Sequence, residues 1–261
     1  MIDTLTIDGI NEIVTHPLEI EILPSVDSTN EYLKRLAKES QLENKVVIAL
    51  KQTQGKGRQG KHFYSPDESG LYLSLLIRPT NLSLNSATKI TTMAALAACK
   101  AIESVTHRQA LIKWVNDIII DNKKVAGILT EASLDIETKQ IDYLVLGIGF
   151  NVTPPKGGFP QEISDIAGSI LKDSQPNTKN ELAGQFLNEF LHLFHNPVSF
   201  SYQDYKKRSY VLGKEIVVHT QQKCLEAVAL DLDEDCHLIV EYRDKTKEVL
   251  SSGEISIRRL S

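Results

Sequence analysis

Apolar residues in this chain fall into two periods, and the period changes along its length. Residues 18–22 alternate apolar and charged, as a half-buried strand does. Residues 31–39 then carry Leu33, Leu36 and Ala37 at helical spacing, with Asp27 or Ser28 placed as N-cap and Glu31 placed to close a capping box. Apolar runs at 46–50 and at 71–77, the second broken only by Ser74, predict short buried strands. The longest helical pattern, rich in alanine, covers 86–105. Strands are predicted at 111–115, 118–120, 125–132 and 143–152, with Asp121-Asn122-Lys123 as a hairpin turn, and an amphipathic helix at 180–195.

Beyond Tyr210 the texture becomes short strands, 214–219, 224–231, 237–242 and 247–250, about ten residues apart and separated by polar turns. The pattern predicts an α+β chain: a mixed β-sheet with helices packed on one side over residues 1–210, then a small β-barrel over 211–261.

Composition excludes more than it selects. The 261 residues are 41% hydrophobic and 24% charged with a formal net charge of −5, ordinary for a globular protein and wrong for a general nucleic-acid binder. The three cysteines, Cys99, Cys224 and Cys236, lack zinc-ligand or redox spacing, and their odd number argues against a disulfide framework. No basic and apolar leader begins the chain and no apolar run reaches membrane-spanning length, so a cytoplasmic protein with no membrane partner is expected. His192 and His195 are three apart on the last long helix, but no third ligand is near in sequence, and a solvated helix face is the simpler reading.

Against this acidic background, residues 51–61 hold four cations and no acid. Their centre is Gly55-Lys56-Gly57-Arg58-Gln59-Gly60-Lys61, which follows an apolar run. Glycines let backbone N–H groups approach an anion, and Lys and Arg neutralise it. The segment nearly spells two nucleotide-binding motifs and fits neither. The dinucleotide fingerprint needs a helix to open inside it, whereas His62-Phe63-Tyr64-Ser65-Pro66 reads as extended chain. The P-loop needs Ser or Thr after its lysine, and His62 stands there.

Four segments in series make the basic loop specific: Asp27-Ser28-Thr29-Asn30; Gln52 with the loop 55–60; Lys113-Trp114-Val115-Asn116-Asp117 with Lys124, Gly127, Ile128 and Leu129; and Gly147-Ile148-Gly149-Phe150-Asn151. In this order and spacing, and with a tail through Ser252-Gly253-Glu254-Ile255, the chain resembles biotin–protein ligases from about Ile20 onward. The resemblance implies a class II synthetase-like catalytic fold followed by an SH3-like β domain. It implies an ATP- and Mg2+-dependent enzyme that forms biotinyl-5′-adenylate and passes biotin to a lysine of a biotin carboxyl carrier protein domain of acetyl-CoA carboxylase. Such chemistry needs charge neutralisation and alignment more than a protein nucleophile.

By the same resemblance Arg58 and Lys124 are the catalytic residues. Ser28, Thr29, Asn30, Gln52, Gly55, Arg58, Lys124, Gly127, Gly147 and Gly149 contact biotin. Lys56, Gly57, Arg58, Gln59, Gly60, Phe63, Lys113, Trp114, Asn116, Lys124 and Asn151 serve ATP or the adenylate, and Asp117 orients magnesium. Lys56, Gln59 and Lys61 stand where the family usually has arginines, Phe63 where it often has tryptophan, and Val115 where it usually has proline. About twenty residues precede the first strand, too few for the helix-turn-helix that some members carry, so no DNA partner is expected. Some members pair through the central sheet. Lipoate–protein ligases and octanoyltransferases, which share the catalytic fold, are the nearest alternative, and a non-catalytic biotin sensor is another. No cysteine lies near the loops to serve a thiol-dependent transferase, and retention of both Arg58 and Lys124 speaks against a sensor.

Overall fold

The computed structural model describes residues 3–40, 42–79, 86–135, 140–220 and 223–257. In chain order its elements are α1 (Ile7–Asn11), β1 (Glu19–Leu23), α2 (Thr29–Glu39), β2 (Lys45–Ala49), β3 (Gly70–Ile77), α3 (Ser86–Thr106), β4 (Leu111–Lys113), β5 (Asp117–Ile120), β6 (Lys123–Leu134) and β7 (Ile141–Asn151). Then follow α4 (Thr178–His195), α5 (Tyr202–Lys207), β8 (Glu215–His219), β9 (Cys224–Leu232), β10 (Leu238–Tyr242), β11 (Lys247–Leu250) and β12 (Glu254–Ile257).

Seven strands form one sheet in the order β1-β2-β3-β7-β6-β5-β4, with β1 and β2 parallel and the other neighbours antiparallel. Alternation sends Leu71, Leu73, Leu75 and Ile77 of β3 and Leu144, Leu146, Ile148 and Phe150 of β7 into the core shared with α3 and α4. The intervening residues Val47, Leu76, Tyr143 and Val145 face the other way and pack on Leu33 and Ala37 of α2. Helices α1, α3 and α4 thus build the expected layer, and α2 covers part of the opposite face. That is why β2 and β3 are buried at every position.

This second face is only partly covered. Along β7 the α2 side presents Tyr143 and Val145 beneath the helix, then Gly147 and Gly149, which have no side chains to fill the space. Gly149 pairs in register with Gly127 of β6. A hollow therefore opens in the sheet just beyond the N-terminus of α2.

The last five strands form a separate antiparallel sheet in the order β11-β10-β9-β8-β12. Its inner residues, among them Ile216, Val218, Ala229, Leu238 and Val240, join the main core without a break. Trp114 is part of the seam: its ring is buried and its Nε1–H donates to Cys236 O at 2.9 Å.

Three elements carry no clear sequence pattern. Helix α1 is one short turn containing Gly9, capped by Thr6 Oγ1 and held by Asn180 of α4. Helix α5 is six residues long. Strand β12, part of the tail 252–255, forms only by pairing with β8. The capping box is not made: Ser28 is the N-cap of α2 without a side-chain cap bond, because Glu31 is drawn instead to Lys34 and to Lys56 at 2.5 Å. Among the described residues no helix is long and apolar enough to cross a membrane.

Candidate active site

The glycine-rich segment leaves β2 as an irregular hairpin rather than a helix-capping loop. Lys56 and His62 bridge antiparallel, Gly57 N–H donates to Lys61 O at 2.7 Å, and a 3-10 turn spans Arg58–Gly60. Gln59 and Gly60 sit in the left-handed region, φ 54° and 73°, which reverses the chain at the loop tip. Gly55 is required by close approach: a Cβ there would meet Phe63 O at 2.4 Å and Ser65 Oγ at 2.5 Å. The return limb, 61–65, lays the ring of Phe63 over Gly149 and Gly127.

The loop, the hollow of the sheet and β12 enclose a cavity of about 450 Å³. Eighteen of the residues named from the sequence line it, including Ser28, Thr29, Asn30 and Gln52 at one end and Lys113, Asn116, Asp117 and Asn151 at the other. Gly55 and Gly60 do not: the first packs within the loop and the second lies at its tip. Trp114 lines the wall, but its N–H is committed to Cys236.

At the first end, polar groups are already organised by one another. Gln52 Oε1 accepts from Thr29 N–H at 2.9 Å, capping α2 from outside the helix, and its Nε2 donates to Ser65 Oγ at 2.9 Å. Asn30 Nδ2 donates to Glu131 Oε2 at 2.8 Å, which turns Asn30 Oδ1 toward Gly147. A Cβ on Gly147 would lie 2.1 Å from that oxygen.

The other end is cationic. Arg58 Nη1 donates to Asn116 Oδ1 at 3.2 Å, and Asn116 Nδ2 donates to Ile128 O at 3.0 Å. Lys124 Nζ is 2.7 Å from Asp117 Oδ1. Lys61 pairs with Glu254 of β12. Burial pushes the pKa of Arg58 down, while the Asp117 and Glu254 carboxylates pull it back up. Burial lowers the pKa of Lys113 too, opposed by Asp117 and reinforced by the charge of Lys124. These cations are desolvated, and a bound anion would relieve them. The arrangement suits a carboxylate and a phosphate held side by side on one wall.

The sequence reading missed two parts of the wall. Gly253–Ser256 arrives from the second sheet, and Phe159, Ile163, Ile166 and Ala167 arrive from the segment after β7. That segment is tied to Lys124 by paired backbone bonds, Lys124 N–H to Ile166 O at 2.7 Å and Gly168 N–H to Lys124 O at 2.9 Å. No periodicity marks it. Glu254 was visible as an acid in the tail, but nothing local places it opposite Lys61. The His192–His195 pair gains no ligand set: His195 packs on His16 and Phe194, and among the described residues no group of three or more His, Cys, Asp or Glu could hold a metal.

Residues 22–151 match the Biotin/lipoate A/B protein ligase family, and residues 211–258 match the Biotin protein ligase C terminal domain. The chain is 30% identical over 238 residues to the bifunctional ligase/repressor BirA of Bacillus spizizenii, covering 87% of this chain and 70% of that protein. It is 26% identical over 247 residues to the biotin–[acetyl-CoA-carboxylase] ligase of Mycobacterium tuberculosis, covering 91% and 88%. Among solved structures, the biotin protein ligase from Aquifex aeolicus in complex with biotin and ATP superposes with a TM-score of 0.75 at 25% identity, covering 93% of this chain and 99% of that one.

Proposed function

Because the chain belongs to the biotin protein ligase branch of the biotin/lipoate A/B protein ligase family, we propose that it activates biotin with ATP and transfers it to a lysine of a carboxyl carrier domain of acetyl-CoA carboxylase. The observation that carries this reading is the convergence of Arg58, Lys113 and Lys124 on one wall of a cavity whose other end is lined by Ser28, Thr29, Asn30 and Gln52. A molecule with a polar ring at one end and a carboxylate at the other fits that division.

In the first step a biotin carboxylate oxygen bonds to the α-phosphorus of ATP. The α–β anhydride bond breaks, and pyrophosphate leaves with the electron pair. Lys124 and Arg58 neutralise the carboxylate and α-phosphate oxygens, which would otherwise repel. Lys113 adds charge on the nucleotide side, with Asn116 and Asn151 beside it; Lys56, paired with Glu31 in this structure, would add more on leaving that carboxylate, and the ring of Phe63 closes the floor over Gly127 and Gly149. In the second step a neutral lysine amine of the carrier bonds to the acyl carbon, AMP leaves, and the amine's proton passes to solvent. Arg58, held by Asn116, retains the adenylate until then.

Magnesium, when bound, offsets phosphate charge. Mg2+ in nucleotide sites takes one or two carboxylates and keeps phosphate and water for the rest, and Asp117 on the cavity wall is a carboxylate of that kind. The test is mass spectrometry of the protein incubated with MgATP and either biotin or lipoate. Biotinyl-5′-adenylate supports the proposal, and a lipoyl adenylate would move the chain to the sister enzymes. Biotin binding without any adenylate would make it a sensor.

A further inference from the structure

The second sheet carries a group of reactive side chains that take no part in the two-step reaction. Of the chain's three cysteines, Cys99 and Cys236 are buried and Cys224 is exposed. Burial pushes the thiol of Cys99 up and that of Cys236 up to about 12, so both stay protonated and out of reach of solutes. Cys224 opens β9 and stands directly across from His219, the last residue of β8. Its Sγ is 3.3 Å from His219 Nδ1, and His219 Nε2 is 2.8 Å from Ser256 Oγ of β12.

Strand register brings the three together. His219 is paired with Cys224 on one side and with Glu254 on the other. Residues in register on neighbouring strands point to one face, and Ser256, two positions beyond Glu254, shares that face. Glu254 is engaged with Lys61, which leaves the imidazole to Ser256. With Nε2–H donated to the Ser256 hydroxyl, Nδ1 is the bare nitrogen, and it faces the thiol. A nucleophile, a base within reach of its proton and a third group that orients the base form the arrangement that activates a cysteine.

We propose that Cys224 is a site of S-thiolation by low-molecular-mass disulfides, with His219 as its base and Ser256 as the residue that positions His219. Cys224 Sγ bonds to one sulfur of the disulfide, the S–S bond breaks, and the other sulfur leaves as a thiolate with the electron pair. The thiol proton passes to His219 Nδ1 and from there to the departing thiolate. The disulfide is the oxidant, and it is reduced to one free thiol and one half of the new mixed disulfide. The adduct stands beside β12, which forms part of the cavity wall, and an added dithiol removes it by the same exchange in reverse.

The experiment incubates the full chain with oxidised glutathione and follows adduct formation by mass spectrometry, with peptide mapping to place it. Wild type, Cys224→Ser, His219→Ala, Ser256→Ala and Ser256→Thr are compared, and thermal unfolding checks that each is folded. Wild type should take up one glutathione, on Cys224, and Cys224→Ser none. An unassisted cysteine holds only a few per cent thiolate near neutral pH, so His219→Ala should slow the reaction by about tenfold. Ser256→Ala should slow it less, and Ser256→Thr, which keeps the hydroxyl, should restore the wild-type rate. His219→Gln carries the test if the alanine variant does not fold. In urea, where the register is lost, Cys224 of the wild-type chain should react more slowly than in the fold, whereas a merely exposed thiol would not. No adduct on wild type, an adduct shared evenly with Cys99 and Cys236, or equal rates in wild type and the His219 variants would overturn the proposal.

Discussion

Lys124 Nζ lies 2.7 Å from Asp117 Oδ1, across the turn that joins two neighbouring strands of the sheet. The pair stands on the cavity wall and keeps the Lys124 ammonium in place before any anion arrives. Lys124→Ala should lower the rate of adenylate formation by about a hundredfold or more, measured by pyrophosphate exchange, while biotin still binds. Turnover at the wild-type rate would remove Lys124 from the chemistry.

Arg58 is held by Asn116 at 3.2 Å and largely buried in the cavity wall. Arg58→Gly removes the fork and opens that wall. The expected result is faster escape of the adenylate, seen as biotin appearing on lysines of an added bystander protein. An unchanged rate of intermediate release would assign retention to other residues.

Lys113 has a pKa below the ordinary 10.5, from burial first and from the charge of Lys124 as well, against the pull of Asp117. For a base the neutral form is thereby favoured in the fold. Below the folded pKa the charged form penalises folding, and the penalty is relieved as pH rises through it toward the unfolded value. The same titration removes a cation from the end of the cavity that holds Asp117 and Lys124. The kcat/KM for ATP, which reports the free enzyme, should therefore fall on the alkaline side at a lower pH than an exposed lysine would give. Lys113→Arg should move that limb upward. A limb that does not move would show that another group titrates there.

Gly147 faces Asn30 Oδ1 so closely that a Cβ would lie 2.1 Å from it. Gly147→Ala must displace the Asn30 amide and with it the bond to Ser74. The cost should be about 1–3 kcal/mol of stability, with a rise in the KM for biotin that exceeds any change in kcat. Chemical denaturation and steady-state kinetics together read both effects.

Trp114 is the chain's one tryptophan, and its N–H to Cys236 O joins the two sheets. Trp114→Phe leaves that carbonyl without its donor and removes ring volume from the seam. A loss of about 2 kcal/mol or more is expected. Circular dichroism in a urea titration measures it, since fluorescence disappears with the residue.

The elements with strong period were legible in the sequence. The strands at 19–23, 45–49 and 70–77 and the helices ending at Thr106 and His195 stand within a few residues of their patterned runs, because burial of one face or both imposes the period directly. Eighteen of the motif residues line one cavity: their residue types stand in the sequence, and their convergence does not.

What the tertiary structure alone decided is who meets whom. Ser74 looks like any polar interruption in an apolar strand, and it finds its partners only because Thr29 and Asn30 are brought over it from a helix more than forty residues earlier. Glu31 reads as a capping-box acid, yet the return of Lys56 from the loop takes its carboxylate. Glu254 reaches Lys61 across 193 residues only because β12 pairs with β8. Local sequence determines which backbone shape each segment prefers and which face it must bury. Contacts between segments depend on the register of strands and the packing of helices, which are settled by the whole chain minimising exposed apolar surface and unpaired polar groups together.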